Sequence, residues 1–331
     1  MASYPAFREQ SAHYFNRPHE GAPATSIHSV AAWRGDQLVD DPSWRAEFTQ
    51  EHIAEIEQAI ATALATGKPT AELAREDFPL PSLAKTIAEW RSELDTGRGF
   101  LLISGLPTER WPDEHTELFF WCFGLHLGRP GGQNPAGDLL GHVIDTGARE
   151  SDTFVRLYQT AANIRYHCDA ADAVGLLCKN KARRGGQSRI VSSVSVYNEL
   201  ARRRPELAAR LFEPIYLDIR DAKPGDALRF LPIPPCRYAD GRLRTFYHSD
   251  YFRSAQRHED VPRHTEQDRE LLDLYEEIAL TPGLYLDMDL EPGDMQLVSN
   301  HSVLHARTEY EEWPEPERKR HLLRLWLSLD R

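Results

Sequence analysis

The sequence predicts an α+β, mainly β fold: a helical N-terminal region over residues 1–95, then a β sandwich or barrel, of which a jelly roll is one form. Two observations carry this. Apolar residues recur at helical spacing before residue 95, and short strand-like runs cut by turn signals dominate from about residue 150. The chain shows no internal repeat, no low-complexity tract and no linker that would split it. The first 95 residues are therefore read as packing onto a β core that occupies residues 96–331.

In the helical region, Ser43 follows Asp41-Pro42 and is placed to cap a helix running through Thr49–Gly67. Ile53, Ile56, Ile60 and Leu64 give that helix an apolar stripe, and Gly67 ends it. A second helical pattern spans Ser82–Gly97. Phe100–Ile103 reads as a short buried strand closed by Ser104-Gly105-Leu106-Pro107, and Asp113 opens a third helix ending at Gly128. Strands are expected at Thr153–Tyr158, Ala173–Cys178, Arg189–Ser193, Ile215–Ile219, Leu228–Pro232, Leu284–Met288, Met295–Ser299 and Leu322–Leu329. Turn signals separate them, among them Arg184-Gly185-Gly186, Lys223-Pro224-Gly225-Asp226, Asp240-Gly241 and Glu291-Pro292-Gly293-Asp294. Two helical patterns interrupt the strands, Val194–Phe212 with a break at Pro205, and Thr265–Ala279.

Composition narrows the function classes. Hydrophobic residues make up 41% and charged residues 27%, which is enough apolar material for a core. The net charge of −12 argues against nucleic acid, because phosphate contacts need clustered Lys and Arg. The four cysteines form no CxxC pair and suit a reducing cytosol, so a cytoplasmic location is expected. No run of about 18 apolar residues predicts a membrane span, and the N-terminus lacks a signal-peptide core. The expected partner is a small molecule; a homo-oligomer is compatible with the sequence.

Chemistry concentrates in a few motifs. In Tyr166-His167-Cys168-Asp169, an extended backbone would point His167 and Asp169 to one face, where they can share a metal ion. A third ligand completes the arrangement of two histidines and one carboxylate that suits iron(II). His305, in Asn300–Thr308, is that candidate; His301 is its rival, because a regular strand would place both on one face. Alone, HxD is a weak signal, and a lone histidine beside a strand is more often a hydrogen-bonding residue than a ligand. Downstream, alternation puts Arg320, Leu322, Arg324 and Trp326 on one strand face, and His321, Leu323, Leu325 and Leu327 on the other. Two arginines on a buried face need anions. Arg320 suits the distal carboxylate of a dicarboxylate such as 2-oxoglutarate, since a guanidinium binds carboxylate through paired hydrogen bonds. The bland reading pairs either arginine with Glu311, Glu312, Glu315 or Glu317. In Gly185-Gly186-Gln187-Ser188, Ser188 either starts a strand after an ordinary hairpin turn or offers its hydroxyl to the same carboxylate. Tyr158, Phe246, Tyr247, Tyr251 and Tyr310 could line a pocket, though most aromatics are core.

Taken in order, Phe100–Pro107, His167-Cys168-Asp169, Gly185–Ser188, Pro292-Gly293-Asp294, His305–Thr308 and Arg320–Leu327 resemble the taurine dioxygenase (TauD/TfdA-like) family of iron(II) and 2-oxoglutarate oxygenases, over residues 97–329. The resemblance implies a double-stranded β-helix, the clavaminate synthase-like jelly roll. It implies His167, Asp169 and His305 as iron ligands, Arg320 and Ser188 as the cosubstrate pair, and Arg324 as a substrate contact. It implies Fe(II), 2-oxoglutarate and O2 as cofactors, with hydroxylation or desaturation of a C–H bond of a small, anionic or amino-acid-like substrate and release of succinate and CO2. The carboxylate of Asp169 argues against halogenation, for which related enzymes carry a small residue there. The compact segment Ala170–Arg184 and the unmatched first 95 residues argue against taurine as substrate. The competing readings are a non-enzymatic jelly-roll metal sensor or binding protein, and a cupin-like metalloenzyme that does not use 2-oxoglutarate. Arg320 separates them, since neither needs a cosubstrate arginine facing the metal.

Overall fold

A computed structural model describes residues 4–147, 159–220 and 229–329. Two β-sheets lie face to face. In the larger, Met295–Ser299 pairs antiparallel with Phe100–Ser104 on one side and Ala173–Asn180 on the other. His321–Ser328 pairs antiparallel with the far edge of Ala173–Asn180. Arg45–Glu47, Arg129–Pro130 and Leu140–Val143 complete its seven strands. The smaller sheet has four antiparallel strands in the order Tyr285–Met288, Ser188–Ser192, Val303–Arg307 and Ile164–His167.

Alternation along these strands builds the layers. Phe100, Val174, Val298, Leu322 and Trp326 face inward from the large sheet and meet Ile190, Leu286, Met288 and Val303 from the small one. The opposite face of the large sheet, with Leu177, Leu297, Leu323 and Leu325, is covered by helices Gln50–Ala65, Ala84–Asp95 and Asp113–Leu127. Helices Ser193–Arg203, Pro205–Arg210 and Glu266–Ala279 cover the small sheet through Tyr166, Val191 and Leu304. This helix-covered sandwich, antiparallel except where Arg45–Glu47 runs parallel to Phe100–Ser104, is the jelly roll, with mixed helix and strand as the sequence indicates.

Some local expectations change. Thr49, not Ser43, caps the first long helix, in a reciprocal capping box with His52. Ser43 instead lies in a 3-10 turn whose cap is Asp41. Leu64 is half exposed; Ala63 takes its place on the buried stripe. Helix Phe7–Phe15 and strands Leu140–Val143, Ile164–His167 and Val303–Arg307 were not expected as elements. Asp240-Gly241, both at positive φ, forms the two-residue turn between Cys236–Ala239 and Arg242–Thr245. The expected strand Thr153–Tyr158 and the turn Lys223–Asp226 fall outside the described residues, as does Leu228; the run after it forms strand Phe230–Ile233.

Candidate metal and cosubstrate site

The small sheet aims two histidines at one point. On Val303–Arg307, Leu304 and Ala306 face the covering helices, so Val303, His305 and Arg307 face inward. On Ile164–His167, Tyr166 packs outward and His167 inward. His305 and His167 are direct cross-strand partners, with ring centroids 4.2 Å apart. Asp169 lies just past the strand. Cys168 N–H donates to the Tyr247 carbonyl at 2.7 Å and Asp169 N–H to Asn300 Oδ1 at 3.0 Å, which holds the chain extended. The carboxylate then faces both rings: His167 Nε2 is 3.8 Å from Asp169 Oδ1, and His305 Nε2 is 3.7 Å from Oδ2.

These separations are too long for hydrogen bonds, yet one candidate ligand atom from each residue lies within 4.8 Å of the others. Lone pairs that converge without bonding one another leave room for a cation, and the donor set of two imidazoles and one carboxylate fits iron(II). His167 Nδ1 sits 2.9 Å from the Arg165 carbonyl, so that nitrogen donates and Nε2 keeps its lone pair. Burial, aided by neighbouring His305, brings His167 down to about 4, which leaves it neutral at pH 7. Burial alone would raise the Asp169 carboxyl; Arg324, His305 and His167 outweigh it and hold it well below the usual range.

His301 is not in this cluster. Its Nε2 lies 2.8 Å from Asp172 Oδ1, and its ring stacks on Tyr14. Residues 300–302 form a turn, so the strand begins only at Val303 and His301 escapes its register.

The large sheet supplies the cations. Trp326 Nε1–H donates to Asp169 Oδ2 at 3.0 Å, and Arg324 Nη1 is 3.8 Å from the same oxygen. Arg324 Nε donates to Gln133 Oε1 at 2.8 Å, while Gln133 Nε2 donates to the carbonyls of Arg324 and Leu139. Arg320 is 6% exposed, and no carboxylate pairs with its guanidinium among the described residues. Its backbone N–H instead donates to Glu312 Oε2. Among the described residues Nη1 of Arg320 is buried without a hydrogen-bond partner, an open donor that suits a carboxylate. Gly185 and Gly186 both have φ near +75, and a Cβ on Gly186 would lie 3.1 Å from Arg320 Nε. The glycine pair therefore lets the turn close over that arginine. Ser188 is buried, and its hydroxyl donates to Gln296 Oε1 at 2.8 Å. Contact with a cosubstrate carboxylate requires that hydroxyl to turn from Gln296.

Sequence reasoning gave no role to several neighbours. Arg307 shares the inward face with His305, and the alternation that singles out Arg324 would have found it. Burial, with Arg320 nearby, pushes it down to about 10. His248 lies 5.1 Å from His167 ring to ring and stacks on Tyr251 at 3.6 Å. Burial, reinforced by His167, holds His248 well below the usual histidine range. No local signal marks it or Gln133, since both reach the site by tertiary packing. Phe246 and Tyr247 are core, while Tyr310 sits beside Arg320.

Jelly roll and triad together define a class, the mononuclear metal oxygenases of this fold. The chain belongs to the taurine catabolism dioxygenase TauD, TfdA family, whose model matches residues 65–326. It is 31% identical over 303 residues to FR-33289 synthase of Streptomyces rubellomurinus, covering 91% of this chain and 89% of that protein. It is 27% identical to the taurine hydroxylase-like protein SAT17 of Stachybotrys chartarum, covering 91% of this chain and 80% of that protein. In structure it is similar to asparagine oxygenase in complex with Fe(II), 2S,3S-3-hydroxyasparagine and succinate. That match has a TM-score of 0.68 at 16% identity, over 87% of this chain and 94% of the other. The non-haem iron oxygenase OrfP in complex with Fe and alpha-ketoglutaric acid matches with a TM-score of 0.62 at 15% identity, over 86% and 94%.

Proposed function

We propose that this protein is an iron(II)- and 2-oxoglutarate-dependent dioxygenase that hydroxylates a C–H bond of a small anionic or amino-acid-like substrate. The observation that carries the reading is the His167–Asp169–His305 cluster with buried Arg320 and Arg324 on the facing sheet. Bound together, iron(II) and 2-oxoglutarate supply the activation of dioxygen that C–H cleavage needs. The chain's own residues position and shield. His167, Asp169 and His305 hold the iron, and the His167 tautomer is fixed by the Arg165 carbonyl. Arg320, with Ser188, takes the cosubstrate's far carboxylate. Arg324, oriented by Gln133, faces the metal carboxylate and receives the substrate's anionic group. The apolar wall from Ile190, Val303 and Leu322 keeps bulk water away.

Asparagine oxygenase and OrfP were both solved with hydroxylated amino acids, which supports an amino-acid-like substrate here. The described residues include no helix long and apolar enough to cross a membrane, and all four cysteines are free and buried, as suits a reducing cytoplasm.

Anaerobic mixing of the protein with iron(II) and 2-oxoglutarate tests the reading. It should produce a weak visible charge-transfer band that His167→Ala abolishes; absence of the band in iron-loaded protein would overturn it, leaving a metal-binding jelly roll without this cosubstrate. Screening small carboxylates and amino acids for substrate-dependent succinate release then identifies the substrate. Arg324→Ala should raise its KM by roughly 10- to 100-fold; unchanged KM removes Arg324 from substrate binding.

A further inference from the structure

Two buried arginines share one aromatic ring beside the candidate metal centre. The guanidinium carbons of Arg307 and Arg320 lie 4.7 and 5.1 Å from the ring centroid of Tyr310. Each arginine is only 6% exposed, and among the described residues no carboxylate forms an ion pair with either. Glu312 lies near both and Asp145 near Arg307, so their charge is partly offset without an ion pair; two cations buried together remain costly unless an anion joins them directly.

The open donors say where that anion sits. Arg307 Nη2 donates to the Thr160 carbonyl at 2.8 Å and also to the Ala162 carbonyl, which fixes the guanidinium plane. Among the described residues, Arg307 Nε and Nη1, Arg320 Nη1 and the Tyr310 hydroxyl are all buried without a hydrogen-bond partner. A carboxylate, with two oxygens and about four acceptor sites, can satisfy such a set. Spacing agrees. Arg307 is two residues from His305 on one strand face, a step of roughly 6.6 Å. A five-carbon dicarboxylate with its keto-acid end at the metal spans a distance of that order.

We infer that Arg307 and Tyr310 join Arg320 in binding the far carboxylate of the dicarboxylate cosubstrate, a two-arginine clamp closed around one phenol. The inference rests on the proposed function and deepens it.

The test is anaerobic calorimetric titration of iron(II)-loaded protein with 2-oxoglutarate and, separately, with 2-oxopentanoate, which keeps the keto-acid end and lacks the far carboxylate. Arg307→Gln should raise the 2-oxoglutarate Kd roughly 10- to 100-fold and leave the 2-oxopentanoate Kd within about twofold. Tyr310→Phe should weaken 2-oxoglutarate alone by about fivefold. Equal weakening of both keto acids by Arg307→Gln would reduce it to a brace for the 160–162 segment and overturn the inference. An unchanged 2-oxoglutarate Kd in both variants, with binding lost in Arg320→Gln, also overturns it while the proposed function stands. If Arg320→Gln binds normally too, the cosubstrate reading itself falls. Should Arg307→Gln fail to fold, Tyr310→Phe decides, and an unchanged Kd there refutes the clamp.

Discussion

Replacing Trp326 with phenylalanine removes one N–H from the metal-side wall while keeping an aromatic ring there. The indole donates to Asp169 Oδ2 at 3.0 Å, and both residues are buried. Among the described residues, His305 Nε2 at 3.7 Å and Arg324 Nη1 at 3.8 Å also face that oxygen, at more than hydrogen-bond distance. Trp326 is thus the side-chain donor that fixes the rotation of the carboxylate. Loss of a hydrogen bond to a charged group costs about 1.5–3 kcal/mol, and each 1.4 kcal/mol is tenfold in affinity. Trp326→Phe should therefore weaken metal binding by roughly 10- to 100-fold, the range usual for partners of metal ligands. The lower end is expected, because Arg324 can close on the freed oxygen. The smaller ring also leaves a void that costs the metal-free protein about 1–2 kcal/mol, a separate quantity read from its melting temperature. Anaerobic titration of metal-free protein with cobalt(II), followed by its visible bands, measures the affinity. A folded variant whose cobalt Kd lies within about twofold of wild type would refute the argument that this hydrogen bond orients Asp169.

Two further outcomes follow from charge and backbone. Burial opposes ionisation of Asp172, but His301, Arg17 and the Leu329 N–H outweigh it and hold its carboxyl well below the usual range. A depressed carboxyl contributes stability above its unfolded pKa of about 3.9 and loses it as pH falls through the folded value. Asp172→Asn should cost about 3–5 kcal/mol at pH 7 and flatten the acid side of the stability curve, as urea midpoints at pH 7 and at about pH 2.5, below the unfolded value, would show; an equally steep acid limb would count against this network. Gly186→Ala should lose about 1–2 kcal/mol from its left-handed backbone and also weaken 2-oxoglutarate binding through contact with Arg320 Nε. Gly67→Ala, also left-handed but with nothing within 4 Å of a built Cβ, should lose stability alone. Equal cosubstrate binding by the two variants would dismiss the Gly186 contact.

Much of the site was legible because strand alternation survives folding. Period two alone put Leu322, Arg324 and Trp326 on the interior face and Leu323, Leu325 and Leu327 on the other, as the layers show. The same rule could not choose between His301 and His305. That choice depends on a turn at residues 300–302 that ends the register, and on Asp172, whose link to His301 spans 129 positions. Contacts of this kind leave no local trace, and Gln133 and His248 were invisible for the same reason. Ser43 is not the cap, although Ser is the better capping residue on average, because the strand Arg45–Glu47 intervenes and leaves Thr49 at the helix start.

The placement of His321–Ser328 also ties two features of the candidate site to one register. The strand lies between Ala173–Asn180 on one edge and Arg129–Pro130 and Leu140–Val143 on the other. It carries Arg324 and Trp326, the indole that donates to Asp169, and Arg320 stands at its threshold. A slip of one residue would turn Leu323 and Leu325 inward in place of Arg324 and Trp326. The carboxylate's brace and the buried positive charge would then be lost in the same step, so both depend on the alignment of a single strand.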